Sequence, residues 1–133
     1  MTETNLPQIT RDAAGAPIPD FDGVQLPDNL HVEVLEAGDG APVVEGQSIT
    51  VHYSGWLPNG STFDSSWGRG EPISFVIARG SLIDGWVDGI VGQPVGSKLL
   101  LSVPPEKGYG ARAVGPIPPN STLVFAVDVL DAR

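Results

Sequence analysis

Two segments of the chain place large apolar side chains at every second position, which is typical of strands that turn one face to a core. Residues 48–57 show the pattern most clearly, and residues 122–130 carry a large apolar side chain at every second position. The apolar side chains that share a face are Ile49, Val51 and Tyr53 in the first segment and Leu123, Phe125, Val127 and Val129 in the second. We therefore predict two strands that each turn one face to a core.

Three shorter apolar segments, at residues 31–35, 73–77 and 98–103, also predict strands. Clusters of glycine and proline bound them, as is usual where a strand ends. The dipeptide Asn59-Gly60 follows the first alternating segment, and Asn-Gly is a strong signal for a tight hairpin. This punctuation predicts a mostly antiparallel sheet.

Residues 82–91 are the one segment whose apolar positions recur with the period of a helix. Ser81 precedes the segment and is expected to cap its first amides, with Asp84 completing a weak capping box. Gly92 and Pro94 are expected to end the helix. The side chains on its apolar stripe are Ile83, Trp86, Val87, Ile90 and Val91. A mostly antiparallel sheet wrapped on one short helix is an α+β fold.

Residues 1–29 lack any periodic apolar pattern and contain four prolines. Five acidic residues face a single basic one in this segment. Such a composition favours an extended or disordered lead-in, with Phe21, Val24 and Leu26 as its contacts to the domain. An extra edge strand is the alternative. We therefore divide the chain into an N-terminal segment, 1–29, and one domain, 30–133.

Composition narrows the classes of function. The chain has 133 residues, 41% of them hydrophobic, which suits one domain with a true core. It has no cysteine and only two histidines, so we expect no metal and no cofactor. A net charge of −9 repels phosphate backbones and disfavours nucleic acid as a partner. No signal-peptide pattern or membrane-length apolar run is present, so a cytoplasmic protein without membrane contact is expected.

Residues that could carry covalent or acid–base catalysis do not converge. Asp84 and Asp88 are one helical turn apart, a spacing that is common on a solvated helix face. His52 lies on the strand face opposite Tyr53, where a histidine is usually structural or exposed. The serines lack a Gly-x-Ser-x-Gly context, and the glycines at 68–70 are not followed by the Lys-Ser/Thr of a phosphate loop. A hydrolase or nucleotide-dependent enzyme is therefore disfavoured.

Eight of the nine aromatic residues lie between positions 53 and 125. They are Tyr53, Trp56, Phe63, Trp67, Phe75, Trp86, Tyr109 and Phe125. A hydrophobic core accounts for Phe75, whereas Tyr53 and Tyr109 need hydrogen-bond partners if they are buried. Asp64 adds a polar group beside Phe63. The cluster favours a dry aromatic pocket with a few polar groups.

Five segments of the chain combine glycine, proline, aromatic and acidic residues in distinctive orders. They are VHYSG at 51–55, GSTFDSS at 60–66, LIDGWVDG at 82–89, PPEKGYG at 104–110 and IPPNSTLVF at 117–125. Together and in this order they resemble the FKBP family, the rapamycin- and tacrolimus-binding peptidyl-prolyl cis-trans isomerases. The resemblance covers residues 30–133. It implies a curved five- to six-stranded antiparallel sheet wrapped around one short α-helix.

The resemblance also implies a role for each matching position in a proline-binding pocket. Trp86 would form the floor under the proline ring, and aromatic side chains would form the walls. The Tyr109 hydroxyl and the Ile83 N–H would donate hydrogen bonds to carbonyl groups of a ligand. The matching positions are Tyr53, Phe63, Asp64, Ile83, Trp86, Tyr109, Ile117 and Phe125.

Three further residues belong to the implied pocket. Arg69 would pair with Asp64, and Leu82 stands at the pocket edge where the family more often has valine. Ile73 stands where the family often has phenylalanine, so one wall would be aliphatic. Lys107 likewise replaces an aromatic residue of some members. These departures bear on substrate preference more than on activity.

The implied function is that of an enzyme, a peptidyl-prolyl cis-trans isomerase that speeds rotation of X-Pro bonds in protein folding. The implied partners are proline-containing polypeptides and macrolides such as rapamycin and tacrolimus, and a monomer is expected. A binding module that grips a proline segment without relevant turnover remains an alternative. A general chaperone is a third, weakened because only 13 residues separate Tyr109 from Leu123, where some members carry an inserted domain.

Overall fold

The structure is a computed structural model that describes residues 4–133 and contains eight strands within them. The strands are β1 (Gln8–Arg11), β2 (Pro17–Asp20), β3 (His31–Glu36), β4 (Ser48–Trp56), β5 (Thr62–Ser65), β6 (Ile73–Val76), β7 (Lys98–Val103) and β8 (Leu123–Ala132). The α-helices are α1 (Ser66–Arg69) and α2 (Asp84–Ile90), and a 3₁₀ turn spans Pro105–Lys107. Six strands form one antiparallel sheet in the order β3-β7-β8-β4-β5, with β6 also paired to β4. This confirms the predicted α+β fold.

The core lies between the inner face of this sheet and α2. All seven side chains predicted to share the inner faces of β4 and β8 are at most 5% exposed. Glycines let the helix approach the sheet closely, since a Cβ at Gly85 would lie 2.5 Å from Val103 Cγ1. A Cβ at Gly89 would likewise lie 3.0 Å from a methyl group of Leu101. This close packing fixes the position of Trp86 over the sheet.

The helix α2 begins later than the sequence pattern predicts. Its N-cap is Ile83, which offers no side-chain hydrogen bond, so Ser81 does not cap it. The N–H groups of Ser81 and Leu82 instead donate to the carbonyl of Ala78 at 3.1 and 3.2 Å, which forms a separate turn. In the described part of the chain, no helix has the length and apolarity that a membrane span requires.

The single-turn helix α1 was not predicted from the sequence. Ser65 Oγ caps it by accepting a hydrogen bond from the Gly68 N–H at 3.2 Å. Gly70 ends it at φ +81°, a left-handed conformation that glycine adopts without strain. Apolar periodicity does not predict this helix, because it is only one turn long and carries glycine at positions 68 and 70. The turn matters because it carries Arg69.

The N-terminal segment 4–29 packs against the outer face of the sheet. Within it, β1 and β2 pair with each other as a hairpin, so the segment is largely extended. Its apolar side chains Leu6, Ile9, Phe21 and Leu26 pack on Trp56, Leu100, Val124 and Ala126, which are at most 2% exposed. The central strand β8 therefore buries side chains on both faces. A domain boundary at residue 30 stays a prediction.

An ion pair joins the same segment to β8. The Arg11 guanidinium donates to both carboxylate oxygens of Asp128, at 3.0 and 3.1 Å. Asp128 is only 6% exposed, so this two-bond pair satisfies a carboxylate that would otherwise be buried without a partner. The neighbouring His52 stacks on Trp67 with ring centroids 3.9 Å apart, a structural position on the outer face.

Candidate active site

A cavity of about 620 Å³ lies beside the N-terminal end of α2. Residues of β4, β5, β6 and β8 line it, together with the segment 80–86 and the loop 108–112. Six aromatic side chains contribute to the lining: Tyr53, Phe63, Phe75, Trp86, Tyr109 and Phe125. The fold thus gathers rings from distant parts of the chain around one open site, as ligand pockets commonly do.

Trp86 stands at the centre of these rings. Tyr53, Phe75 and Phe125 each meet its indole nearly at right angles, with ring centroids 5.2, 5.6 and 5.4 Å away. Phe63 in turn meets Phe125 edge-on at 5.5 Å. Perpendicular contacts are favoured by the charge distribution of aromatic rings. They hold the indole rigidly as an apolar floor on which a flat or puckered ring can rest.

A polar unit supports one wall of the cavity. The Tyr53 hydroxyl donates a short hydrogen bond to Asp64 Oδ2, and Arg69 Nη1 lies 2.7 Å from the other carboxylate oxygen. The guanidinium also lies 5.9 Å from the centre of the Tyr53 ring. The three side chains therefore fix one another's positions, and the Tyr53 ring presents a defined face to the site.

Burial and the hydrogen bond to Asp64 raise the pKa of Tyr53 to about 12. Partial burial of Asp64 opposes its ionisation, but hydrogen bonds from Tyr53 and Arg69 outweigh burial and lower its pKa below the ordinary value. The phenol is therefore protonated and the carboxyl ionised at neutral pH. Neither group is poised to exchange a proton during turnover.

Ser66 attaches α1 to the back of β4. Its fully buried hydroxyl accepts the Tyr53 N–H at 2.7 Å and lies 2.8 Å from His52 Nδ1. Because α1 follows β5 directly, this contact sets where Arg69 meets Asp64. The outer face of β4 thus helps to position the wall on its inner face.

Two hydrogen-bond donors in the lining are free to bind a ligand. Among residues 4–133, neither the Ile83 N–H nor the Tyr109 hydroxyl donates to another group of the protein. Tyr109 is 38% exposed, and its partial burial together with the charge of Asp64 raises the pKa of the phenol. The hydroxyl therefore stays protonated and able to donate. Their roles toward a ligand, which the family resemblance implies, stay a prediction.

An ionic network ties the segments that carry these donors. Asp88 on α2 accepts a hydrogen bond from Arg79, which precedes the cavity-lining segment, and Lys107 Nζ lies 2.6 Å from its other oxygen. Arg79 also lies 3.4 Å from Asp84. Hydrogen bonds from Lys107 and Arg79 lower the pKa of Asp88. The predicted solvated helix face is thus a bridge between two rims of the cavity.

Eight of the eleven residues predicted for the site line the cavity: Tyr53, Phe63, Asp64, Leu82, Ile83, Trp86, Tyr109 and Phe125. Ile73 packs against the core instead, and the longer Phe75 ring on the same strand face reaches the cavity, so the aromatic wall is retained. Ile117 is 5% exposed within the core. Arg69 acts behind the wall through Asp64 and Tyr53.

Sequence reasoning missed several lining residues. Phe75 was assigned to the core alone, since strand periodicity separates inner from outer faces but does not tell core from cavity. Gly80, Ser81 and Arg112 line the site from loops, where no periodic pattern exists to place a side chain. Within residues 4–133, no cluster of three or more His, Asp or Glu side chains could hold a metal ion.

Comparison of the sequence and the structure with known proteins identifies relatives of this chain. A family model described as FKBP-type peptidyl-prolyl cis-trans isomerase matches residues 40–130. The FK506-binding protein of Neisseria meningitidis serogroup A is 48% identical over 103 residues, covering 77% of this chain and 94% of that protein. FK506-binding protein 1A of Neurospora crassa is 41% identical over 118 residues, covering 87% and 93%. The crystal structure of FkpA from Escherichia coli superposes with a TM-score of 0.74 at 37% identity, covering 94% of this chain and 51% of that one.

Proposed function

This chain belongs to the FKBP-type peptidyl-prolyl cis-trans isomerase family, and from that premise we propose that the cavity over Trp86 is where it rotates X-Pro bonds. The observation that carries the assignment to this cavity is its makeup: an aromatic floor and walls with two unpaired donors at the rim. A proline ring rests on Trp86, and the Ile83 N–H and Tyr109 hydroxyl hold carbonyl groups that flank the rotating bond. The clients are proline-containing polypeptides.

The chemistry requires no covalent intermediate. Rotation about an X-Pro bond has a barrier of about 18–20 kcal/mol because the C–N bond is partly double. The twisted transition state loses amide resonance, so its carbonyl is less polar than that of the planar amide. An apolar cavity destabilises the planar state relative to the twisted one. An acceleration of about 10⁵-fold needs only about 7 kcal/mol of differential stabilisation.

The same cavity takes macrolides such as rapamycin and tacrolimus, in keeping with relatives that are named for FK506 binding. The protein acts as a cytoplasmic monomer, without nucleic acid or membrane as a partner and without a cofactor. The net charge of −9 supports the exclusion of nucleic acid.

The test compares two variants, one that changes an aromatic side chain in the cavity wall and a control that makes the same change outside the cavity. Phe63→Leu removes a ring that lines the site, whereas Phe21→Leu removes a ring on the outer face. We expect Phe63→Leu to lower kcat/KM in a proline-limited refolding assay by about two- to tenfold, the worth of an aromatic contact. Phe21→Leu should leave kcat/KM unchanged. Equal effects of both changes would remove the cavity from the assignment.

A second arm separates an enzyme from a binding module. Rapamycin should block catalysis by the unmodified chain at a concentration that saturates the cavity. Tight rapamycin binding in the absence of any acceleration of refolding would favour the binding module instead.

A further inference from the structure

Arg112 differs from every other lysine and arginine in the described chain. The other six each lie within 4 Å of a carboxylate. Their partners are Asp128 for Arg11, Asp64 for Arg69, Asp88 for both Arg79 and Lys107, Glu36 for Lys98, and Asp131 for Arg133. Arg112 has no such partner within residues 4–133, although the protein carries 16 acidic residues.

The unpaired guanidinium lies on the wall of the cavity. Arg112 is exposed and lines the site together with Tyr109. The other charged side chains in the lining are Asp64 and Asp84. Asp64 is held by Arg69 at 2.7 Å, and Asp84 lies 3.4 Å from Arg79. Arg112 is therefore the uncompensated charge of the lining in the described chain.

The loop that carries Arg112 is held in place by backbone hydrogen bonds. The Arg112 N–H donates to the Tyr109 carbonyl at 3.2 Å, and the Asn120 N–H donates to the Gly110 carbonyl at 2.7 Å. Farther along the loop, Val114 and Ile117 exchange two backbone hydrogen bonds, at 3.0 and 2.8 Å. The backbone of Arg112 is thus fixed next to the donor Tyr109. Its side chain is free to reach a peptide bound there.

From this arrangement we propose that Arg112 is a specificity-determining residue, which selects polypeptides with an acidic side chain directly before or directly after the proline. The inference rests on the proposed function of the cavity. A guanidinium pairs with a carboxylate through two parallel hydrogen bonds, so the preference is for Glu or Asp and not for polar residues in general. Exposed ion pairs of this kind favour binding by roughly 1.5- to 5-fold.

The overall charge of the protein makes this local cation consequential. With a net charge of −9, the surface repels acidic polypeptides at distances within the screening length of about 8 Å at physiological salt. Arg112 offsets that repulsion at the one place where a substrate must dock. Neutral substrates are indifferent to both effects, so a comparison of Glu with Gln isolates the contribution of Arg112.

The experiment is a cycle of two peptide pairs and three proteins. The peptides differ only by Glu or Gln, placed directly before proline in one pair and directly after it in the other. The proteins are the unmodified chain, Arg112→Gln and Arg133→Gln; the last makes the same charge change on a residue outside the cavity. The readout is the ratio of kcat/KM for Glu over Gln, which cancels general effects of each variant on the rate.

We expect the Glu/Gln ratio of the unmodified chain to exceed that of Arg112→Gln by roughly 1.5- to 5-fold in at least one pair. The difference should disappear in 1 M NaCl, where the screening length is about 3 Å. In an added arm, a fourth protein, Arg112→Glu, should invert the preference and favour a peptide that carries Lys in place of Glu. An unchanged ratio in Arg112→Gln, or the same change in Arg133→Gln, would overturn the inference. Absence of turnover of the Gln peptides by the unmodified chain would contradict the proposed function itself.

Discussion

Gly55 on β4 lies where two walls of the cavity meet. A Cβ at this position would lie 2.5 Å from Phe63 Cζ and 3.0 Å from Phe125 Cε1, closer than packed atoms allow. Gly55→Ala must therefore displace at least one ring, and overpacking of this kind costs about 1–3 kcal/mol of folding stability. We expect a lower Tm and a loss of roughly tenfold in kcat/KM for isomerisation, since both rings line the cavity proposed to bind the substrate.

The matched control is Gly68→Ala in α1. Its new Cβ would meet Ser65 Cβ at 3.8 Å, an ordinary contact, and replacing a helical glycine by alanine is mildly stabilising. Activity and Tm close to those of the unmodified chain are expected for this variant. If Gly55→Ala behaved in the same way, the rings would not be packed as described.

The ionisation states of Tyr53 and Asp64 predict the dependence on pH. The pKa of Tyr53 is raised to about 12 and that of Asp64 is lowered. The depressed pKa of Asp64 stabilises the fold above about pH 4 and this contribution is lost as pH falls through the folded value. The raised pKa of Tyr53 stabilises the fold below about pH 10 and this is lost as pH rises toward 12. Between pH 5 and 9, kcat/KM should stay nearly flat.

The measurement is kcat/KM for a neutral X-Pro peptide at constant ionic strength across that range. Unfolding followed at the same pH values separates loss of fold from loss of catalysis. A bell-shaped profile with both arms inside the range would indicate acid–base catalysis, which this site does not provide.

At the scale of elements, Asp88 connects α2 to the segment that ends in Ile83 and to the 3₁₀ turn before Tyr109. Asp88→Asn keeps the shape of the side chain but removes the charge that holds Arg79 and Lys107. We expect KM to rise about two- to fivefold as the two donors lose their fixed spacing, the worth of exposed ion pairs. High salt should raise KM of the unmodified chain toward that of the variant.

Asp131→Asn is the control for this prediction. Asp131 also accepts a hydrogen bond from an arginine, Arg133 at 2.7 Å, but lies outside the cavity. Its loss should leave KM and its salt dependence unchanged. If the two variants had the same effect, the network around Asp88 would be only a surface feature.

Elements that bury one face were predictable, and those held by local chemistry were not. The inner faces of β4 and β8 carry a large apolar side chain at every second position, so the sequence located both strands and the faces that meet α2. The turn α1 depends on a serine cap and a left-handed glycine rather than on periodicity, so the sequence pattern did not predict it. The helix α2 begins later than predicted because the N–H groups of Ser81 and Leu82 donate to the carbonyl of Ala78 and form a separate turn.

Across the whole molecule, the cavity was easier to predict than the outer face. The five segments that resemble the FKBP family predicted most of the residues that line the cavity, because the fold brings these segments together. Arg112 carried no such mark because a lone arginine in a loop has no pattern. The proline-containing segment 1–29 looked like a lead-in, yet residues 4–29 cover the outer face of β8. This segment packs because of the apolar surface around Trp56 and Val124 and the ion pair between Arg11 and Asp128, neither of which its own sequence reveals.

Removal of residues 1–29 is expected to lower the stability of the whole molecule. It would expose the outer apolar cluster around Trp56 and Val124, now at most 2% exposed, and leave Asp128 without Arg11. Breaking a buried pair by removing one partner costs about 3–5 kcal/mol, to which lost apolar burial adds. We therefore expect a much lower midpoint in urea unfolding and a tendency to aggregate.

Activity at low temperature should persist, because the cavity lies on the opposite face of the sheet. Arg11→Gln in the untruncated chain isolates the ion pair and should cause a smaller loss of stability with unchanged kcat/KM. Equal stability of the full and truncated chains would show that residues 30–133 form a domain that does not depend on the hairpin.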